Sequence, residues 1–289
     1  MPEVRVSISL PFTLLVAEGD YPTTAAGEII RISAGPPEET GAQTILSAAF
    51  DHPDGENPAA IQSLRFQDAD RLLRRTNRLL RWYRSVRRRG DITEMTQARA
   101  SPFRFEAAEG VDPAWTQPLE YEESRPVAAV ISIAEITNAV RVGLASGADP
   151  PVDVLFLLDA ERAIQQGRFR EAVLFCWSTI DSVFNRKYDA LAKAALVGEW
   201  ADALAEFTGH EFGLRLKMSA GMHLLANRSL FREPDGLWEA MSTSYAKRNN
   251  IIHRGQNATE DEARQALDVA RRIVAIMNGL QVPAAPGGA

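Results

Sequence analysis

Along residues 3–16, apolar and polar positions alternate through Glu-Val-Arg-Val-Ser-Ile-Ser-Leu-Pro-Phe-Thr-Leu-Leu-Val, with many β-branched residues among them. A period of two puts successive side chains on opposite faces of a strand. Pro11 has no amide hydrogen to give to a ladder, which points to an edge strand or a bend. Gly27–Ser33 and Gln43–Phe50 predict two more strands around the turn-rich 34–41 stretch, so an antiparallel meander is expected. From 67 to 89 the period becomes helical, with Leu72, Leu73, Leu79, Leu80, Tyr83 and Val86 recurring on one side. Asp68 and Asp70 are expected in its first turn and Gly90 as the residue that ends it. Ser101–Glu106 predicts a returning strand and 110–126 a loop. Residues 127–146 begin β-branched, yet Ile136, Val140 and Leu144 fit a helix running to Gly147.

Asp149-Pro150-Pro151 breaks the pattern, and everything beyond it is helical. Helices are predicted at 154–166 up to Gly167, at 169–188, near 190–207 and 211–226, and at 237–253. The apolar face of the 237–253 helix is read as Leu237, Trp238, Met241, Tyr245 and Ile252. Thr259-Glu-Asp-Glu has the form of a capping box and opens a last helix carrying Ala266, Ala270, Ile273, Met277 and Leu280. The predicted class is α+β. Residues 1–148 form an antiparallel β-rich domain bearing the 67–89 helix, residues 149–281 form an all-α bundle, and 282–289 form a flexible tail.

Composition narrows the classes. A hydrophobic fraction of 45% and a charged fraction of 24% are those of a globular chain. No run reaches the ~20 apolar residues of a membrane span, so no membrane partner is expected. The one cysteine, Cys176, lies in an apolar run and is expected as a buried thiol in a reducing, cytoplasmic setting. His52, His210 and His223 (the last expected on a half-buried helix face) have no partners at metal-ligand spacing. No phosphate loop or nucleophile elbow is present in the sequence, so neither metal nor cofactor is expected.

The net charge of -6 gives no global case for nucleic-acid binding, but its distribution is uneven. The 67–89 helix carries nine arginines and no acid from Arg71 onward. Two readings stay open. Arg74, Arg78, Arg81 and Arg88 could contact nucleic acid, with Trp82 and Tyr83 adding stacking. Alternatively the arginines pair with the acidic first sixty residues and with Glu120, Glu122 and Glu123, or face a partner protein.

Lys247-Arg-Asn-Asn-Ile-Ile-His253-Arg-Gly255 groups an arginine, amides and a histidine at the end of a helix stopped by glycine. A basic pair in a last turn also complements the helix dipole without any chemistry. The Arg248-to-His253 spacing, with Asn249 after the arginine, resembles the Arg-x-x-x-x-His motif of the HEPN superfamily (higher eukaryotes and prokaryotes nucleotide-binding). The paired helices around Gly167-Arg-Phe169 and the capped last helix are similar to the family's opening and close. The resemblance covers about 150–280; the N-terminal half resembles no family.

What this resemblance implies is a HEPN-like bundle acting as a metal-independent endoribonuclease and as a homodimer through that bundle, often in toxin–antitoxin or phage-defence systems. An RNA substrate and an antitoxin, trigger or defence-system partner follow from the same resemblance. Arg248, Asn249 and His253 are the implied catalytic residues. Asp181, where relatives often carry an acid, either supports Arg248 or is simply solvated. Chemically, cleavage by the RNA's own 2′-hydroxyl needs a base, an acid and positive charge on the transition state. One chain supplies one histidine in this motif, so two copies would supply both proton roles. The alternative is a catalytically inactive HEPN-like scaffold that binds a nucleotide, RNA or a protein. Its motif ends in His-Arg-Gly instead of the His-x-Tyr of the best-known toxin branch.

Overall fold

A computed structural model describes residues 3–10, 12–24, 28–34, 44–51, 58–96, 103–107, 110–112, 132–195 and 214–282. The chain divides into two compact units, Met1–Pro150 and Pro151–Ala289. The expected contributions of His52, His210, Glu120, Glu122, Glu123, residues 127–131 and the tail beyond 282 lie outside the described residues.

In its described parts unit 1 is a six-stranded antiparallel sheet with two helices. In chain order its elements are β1 (Glu3–Leu10), β2 (Gly19–Pro22), β3 (Ile29–Ala34), β4 (Thr44–Asp51), α1 (Pro58–Arg87), β5 (Arg104–Ala107), β6 (Gly110–Asp112) and α2 (Ile133–Ala145). The strand order is β2-β3-β4-β1-β5-β6. β1 is therefore central, paired with β4 from Glu3↔Asp51 to Leu10↔Thr44 and with β5 on its other side. That corrects the expectation from Pro11, because the strand ends at Leu10 and never has to accommodate the proline. β2 was not visible in the pattern, and the expected 110–126 loop begins with β6.

Alternation turns Val4, Val6, Ile8 and Leu10 to one face. There, with Ile30, Ile32 and Leu46, they pack into one core with Leu72, Leu79, Leu80 and Tyr83 of α1 and Ile136, Val140 and Leu144 of α2. α1 is longer than predicted, so Asp68 and Asp70 lie inside the helix, not in its first turn. Its end also differs. Arg88 takes the left-handed conformation (φ 52°), and the Arg89 N–H donates to the Arg84 carbonyl at 3.1 Å. This is a Schellman-type stop two residues before Gly90. A capping box between Ser132 and Glu135 starts α2, which settles the ambiguous stretch as helix from Ile133.

Unit 2 is helical in its described parts. It contains α3 (Val152–Gln165), α4 (Phe169–Ala195), and a helical run made of α5 (Leu214–Leu216), a π turn (Lys217–Gly221) and α6 (Met222–Ala226). A 3₁₀ turn (Leu230–Arg232) follows, then α7 (Leu237–Arg254) and α8 (Glu260–Gly279). Gly167 (φ 69°) closes α3, with the Arg168 N–H on the Ala163 carbonyl at 2.8 Å. α4 packs against α3, α7 and α8, so it is the central element of the unit. Cys176, Trp177, Ile180 and Phe184 from α4 meet Leu237, Met241 and Ile251 of α7 and Ala266, Ala270, Ile273 and Met277 of α8. Burial pushes the Cys176 thiol up to about 12. Among the described residues no helix is long and apolar enough to cross a membrane.

Candidate functional site

α7 carries the motif, and two contacts with α4 fix its position. Trp177 is 2% exposed and donates from its indole nitrogen to Ser244 Oγ at 2.9 Å. Its ring centroid lies 5.0 Å from that of Tyr245 at 60°. One turn further along each helix, Asp181 faces Arg248. Asp181 is half-buried; burial raises its carboxyl above the ordinary value, and the Arg248 guanidinium pulls in the opposite direction. The two make no ion pair within 4 Å; the link is through space. Arg248 is itself half-buried and donates from Nη1 to Asn249 Oδ1 at 3.0 Å.

At the end of α7 the exposure changes. Ile251 is 2% exposed and faces the core, whereas Ile252 is 47% exposed. The expected apolar face therefore needs correcting at this position. An adjacent apolar pair is ambiguous in a 3.6-residue period, and the packing selects Ile251. His253 and Arg254 are exposed, and Gly255 takes φ 65° as the cap. Its N–H donates to the Ile251 carbonyl and the Gln256 N–H to that of Asn250, so the backbone turns sharply away just beyond the histidine. Lys247 is held by Glu262 at 2.8 Å, from the first turn of α8. Burial works against the Glu262 charge, but the Lys247 ammonium and the Thr259 N–H outweigh it and hold its carboxyl low. The capping box of Thr259 and Glu262 thus braces α8 and the segment before Arg248 at once.

Arg248 and His253 are about 140° apart around α7 and about 7.5 Å apart along it. Arg248 turns toward α4 and His253 toward solvent. Asn249 shares the histidine's sector, four residues earlier. What this arrangement offers is an exposed imidazole beside an amide, with a charged guanidinium set back behind them. Among the described residues no three His, Cys, Asp or Glu side chains lie together as metal ligands. His223 is exposed, not half-buried as expected.

In unit 1 the arginine helix is largely engaged. Arg78 donates to the Thr23 carbonyl at 2.5 Å and the Ala148 carbonyl at 3.0 Å. Arg81 reaches Asp149 at 3.0 Å and Glu94 at 3.1 Å. Arg75 pairs with Glu28 at 3.1 Å and lies over the Phe50 ring, and Arg89 pairs with Asp91. Arg74 pairs with Asp70 on its own helix but stays exposed, and Arg88 is exposed. A cleft of about 370 Å³ is lined by Arg74, Asn77, Arg78 and Arg81 opposite Glu94 and Asp149. The stacking role expected of Tyr83 needs correcting. Tyr83 is 1% exposed and accepts from the Leu15 N–H at 3.1 Å, and Trp82 packs on Gly143 and donates to the Ala148 carbonyl at 3.1 Å.

No protein-family model, curated protein or solved structure matches the chain.

Proposed function

We propose that the chain is a metal-independent endoribonuclease of HEPN type that acts as a homodimer through its helical bundle. The observation that carries the reading is the division of labour at the end of α7: an exposed His253 beside Asn249, with Arg248 set back against Asp181. In the reaction the RNA 2′-oxygen forms a bond to phosphorus and the bond to the 5′-oxygen breaks. The products are a 2′,3′-cyclic phosphate and a 5′-hydroxyl. One His253 takes the 2′-hydroxyl proton, and the partner protomer's copy of the same histidine gives a proton to the leaving oxygen. Arg248 supplies a permanent positive charge to the phosphorane-like oxygens, and Asn249 an amide donor. The 140° between Arg248 and His253 favours a site assembled from two copies over one closed within a single helix. An antitoxin or a phage-borne trigger that governs access to α7 belongs to the same reading.

The competing reading is a silent scaffold that binds a nucleotide, RNA or protein. The bond from Arg248 to Asn249 on its own helix favours it, since both groups then satisfy each other without a substrate. Incubation of wild type, His253→Ala and Arg248→Ala with total RNA in EDTA separates the two. Cleavage by wild type that leaves cyclic-phosphate ends and falls by about 10²- to 10³-fold in both variants supports the enzyme. Intact RNA in all three, with a phage lysate present as trigger, leaves the scaffold.

A further inference from the structure

A second feature of α7 lies on the same side as His253. Trp238, Ser242, Asn249 and His253 fall within about 60° of one another around the helix and span about 22 Å of its length. At the far end of that stripe, Arg215 of α5 donates from Nη2 to Ser242 Oγ at 3.1 Å. Its guanidinium lies 5.2 Å from the Trp238 ring centroid. Phe231 meets the same ring edge-on at 5.4 Å and 82°, and is 60% exposed. Three flat groups are thus stacked or crossed, and Phe231 and Arg215 are exposed to solvent.

The arginines of the unit divide into those with a carboxylate partner and those without. Arg168, Arg186, Arg228, Arg264 and Arg271 each have a carboxylate within 2.8 Å. Arg215, Arg232 and Arg254, on α7 or beside it, have no ion pair among the described residues, and neither does Arg170 of α4; Arg248 is bonded to Asn249 and faces Asp181. The acid of α7 closest to the cluster, Glu239, sits about 40° outside the stripe. Arg215 lies two residues before the π turn, whose Met218 is fully buried, as is Met222 just after it. A Cβ on Gly221 would come within 2.8 Å of the Tyr188 hydroxyl, so the glycine lets this turn sit close on α4. π turns of this kind recur at functional sites.

We infer that Phe231, Trp238 and Arg215 form a stacking platform for single-stranded polynucleotide, which leads the chain along α7 to His253. Bases stack on Phe231 and on the Arg215 guanidinium, and the phosphates meet the exposed Arg215 and Arg232 beside those rings. Stacking reads neither sequence nor the 2′-hydroxyl, so single-stranded DNA binds the platform as RNA does, although it has no 2′-hydroxyl for the cleavage step. The inference rests on the ribonuclease reading for its direction along α7 and not for the binding itself.

The test uses full-length protein and a fluorescent single-stranded DNA of about 12 nucleotides, a length within the usual footprint of stacking surfaces. Phe231→Ala and Arg215→Ala change exposed side chains, and circular dichroism verifies that each variant is folded. Each is expected to weaken binding on the order of tenfold, and duplex DNA is expected to bind no better to wild type than to the variants. Arg264→Ala, an exposed arginine of α8 with a partner of its own, is expected to bind like wild type. Equal affinity across wild type, Phe231→Ala and Arg215→Ala overturns the platform and leaves this apolar surface to a protein partner. The RNA cleavage assay in EDTA stands apart from this result. Cleavage dependent on His253 with unchanged DNA affinity in the variants sinks the platform alone, and weakened affinity without any cleavage sinks the nuclease alone.

Discussion

Asp181 of α4 lies close enough to Arg248 of α7 to feel its charge, yet burial prevails and raises the Asp181 carboxyl above its ordinary value. An acid in that position costs stability once it ionises, because desolvation opposes the charge more than the guanidinium supports it.

Asp181→Asn is therefore expected to raise the melting temperature at pH 7. A folded-state pKa above the unfolded one means that the wild type loses stability as pH rises from the unfolded value, near 3.9, through the folded one. The gain from asparagine should vanish below about pH 3.5, where both forms of the protein are neutral at this site. In the same variant RNA cleavage should fall, since the amide no longer fixes Arg248 by charge. A lower melting temperature at pH 7, measured by calorimetry, would show that the Arg248 attraction outweighs burial.

Ser244 is the link that registers α7 on α4. Ser244→Ala leaves the Trp177 N–H buried without an acceptor, which costs about 1–3 kcal/mol in urea denaturation. Trp177→Ala removes a side chain that is 2% exposed and should cost about 3–5 kcal/mol. If Ser244→Ala leaves the midpoint unmoved, the indole has another acceptor and Arg248 is not positioned through this pair.

What could be read from the sequence depended on whether the determining contacts were local. The Thr259 box and the Gly167 and Gly255 stops involve residues within a few positions, and each was visible as a pattern. β2 was not, since its four residues Gly-Asp-Tyr-Pro show one apolar side chain and gain their identity from pairing with β3. The start of α1 was missed although Pro58 is a common first helical residue, because the apolar period becomes clear only later. At the motif the residue types were legible, but the choice of Ile251 over Ile252 for the core was not. Neither was the position of Arg215, which reaches α7 from a distant part of the chain.

Gly143 in α2 is required by contact, not by backbone conformation. A Cβ there would overlap the ring of Trp82, the aromatic that ties α1 to the Ala148 carbonyl. Gly143→Ala is expected to destabilise unit 1 by about 1–3 kcal/mol through overpacking, despite alanine's better helix propensity. Pairing it with Trp82→Phe, which shortens the ring, should recover part of the loss. A thermal melt of Gly143→Ala that matches wild type would mean the indole can shift without cost.

The arginines of α1 can be divided by the same logic. Arg78 is 15% exposed and bonds two carbonyls far apart in sequence, Thr23 and Ala148, so it holds the β2 region and the end of α2 to α1. Reversing its charge leaves those carbonyls without their donor and places a carboxylate near Asp149. Arg78→Glu should therefore cost several kcal/mol. Arg74 is 67% exposed and its one ion pair among the described residues is with Asp70 on the same helix, which contributes about 0.3–0.5 kcal/mol. Arg74→Glu should leave the urea midpoint nearly unchanged. A combined Arg74, Arg78 and Arg81 reversal would then unfold unit 1 and could not report on nucleic-acid binding. The informative pair is Arg74→Glu with Arg88→Glu, because both side chains are exposed. Salt-dependent RNA affinity that is the same in that double variant and in wild type assigns α1 to structure; a drop with a shallower salt slope assigns it a phosphate-binding role.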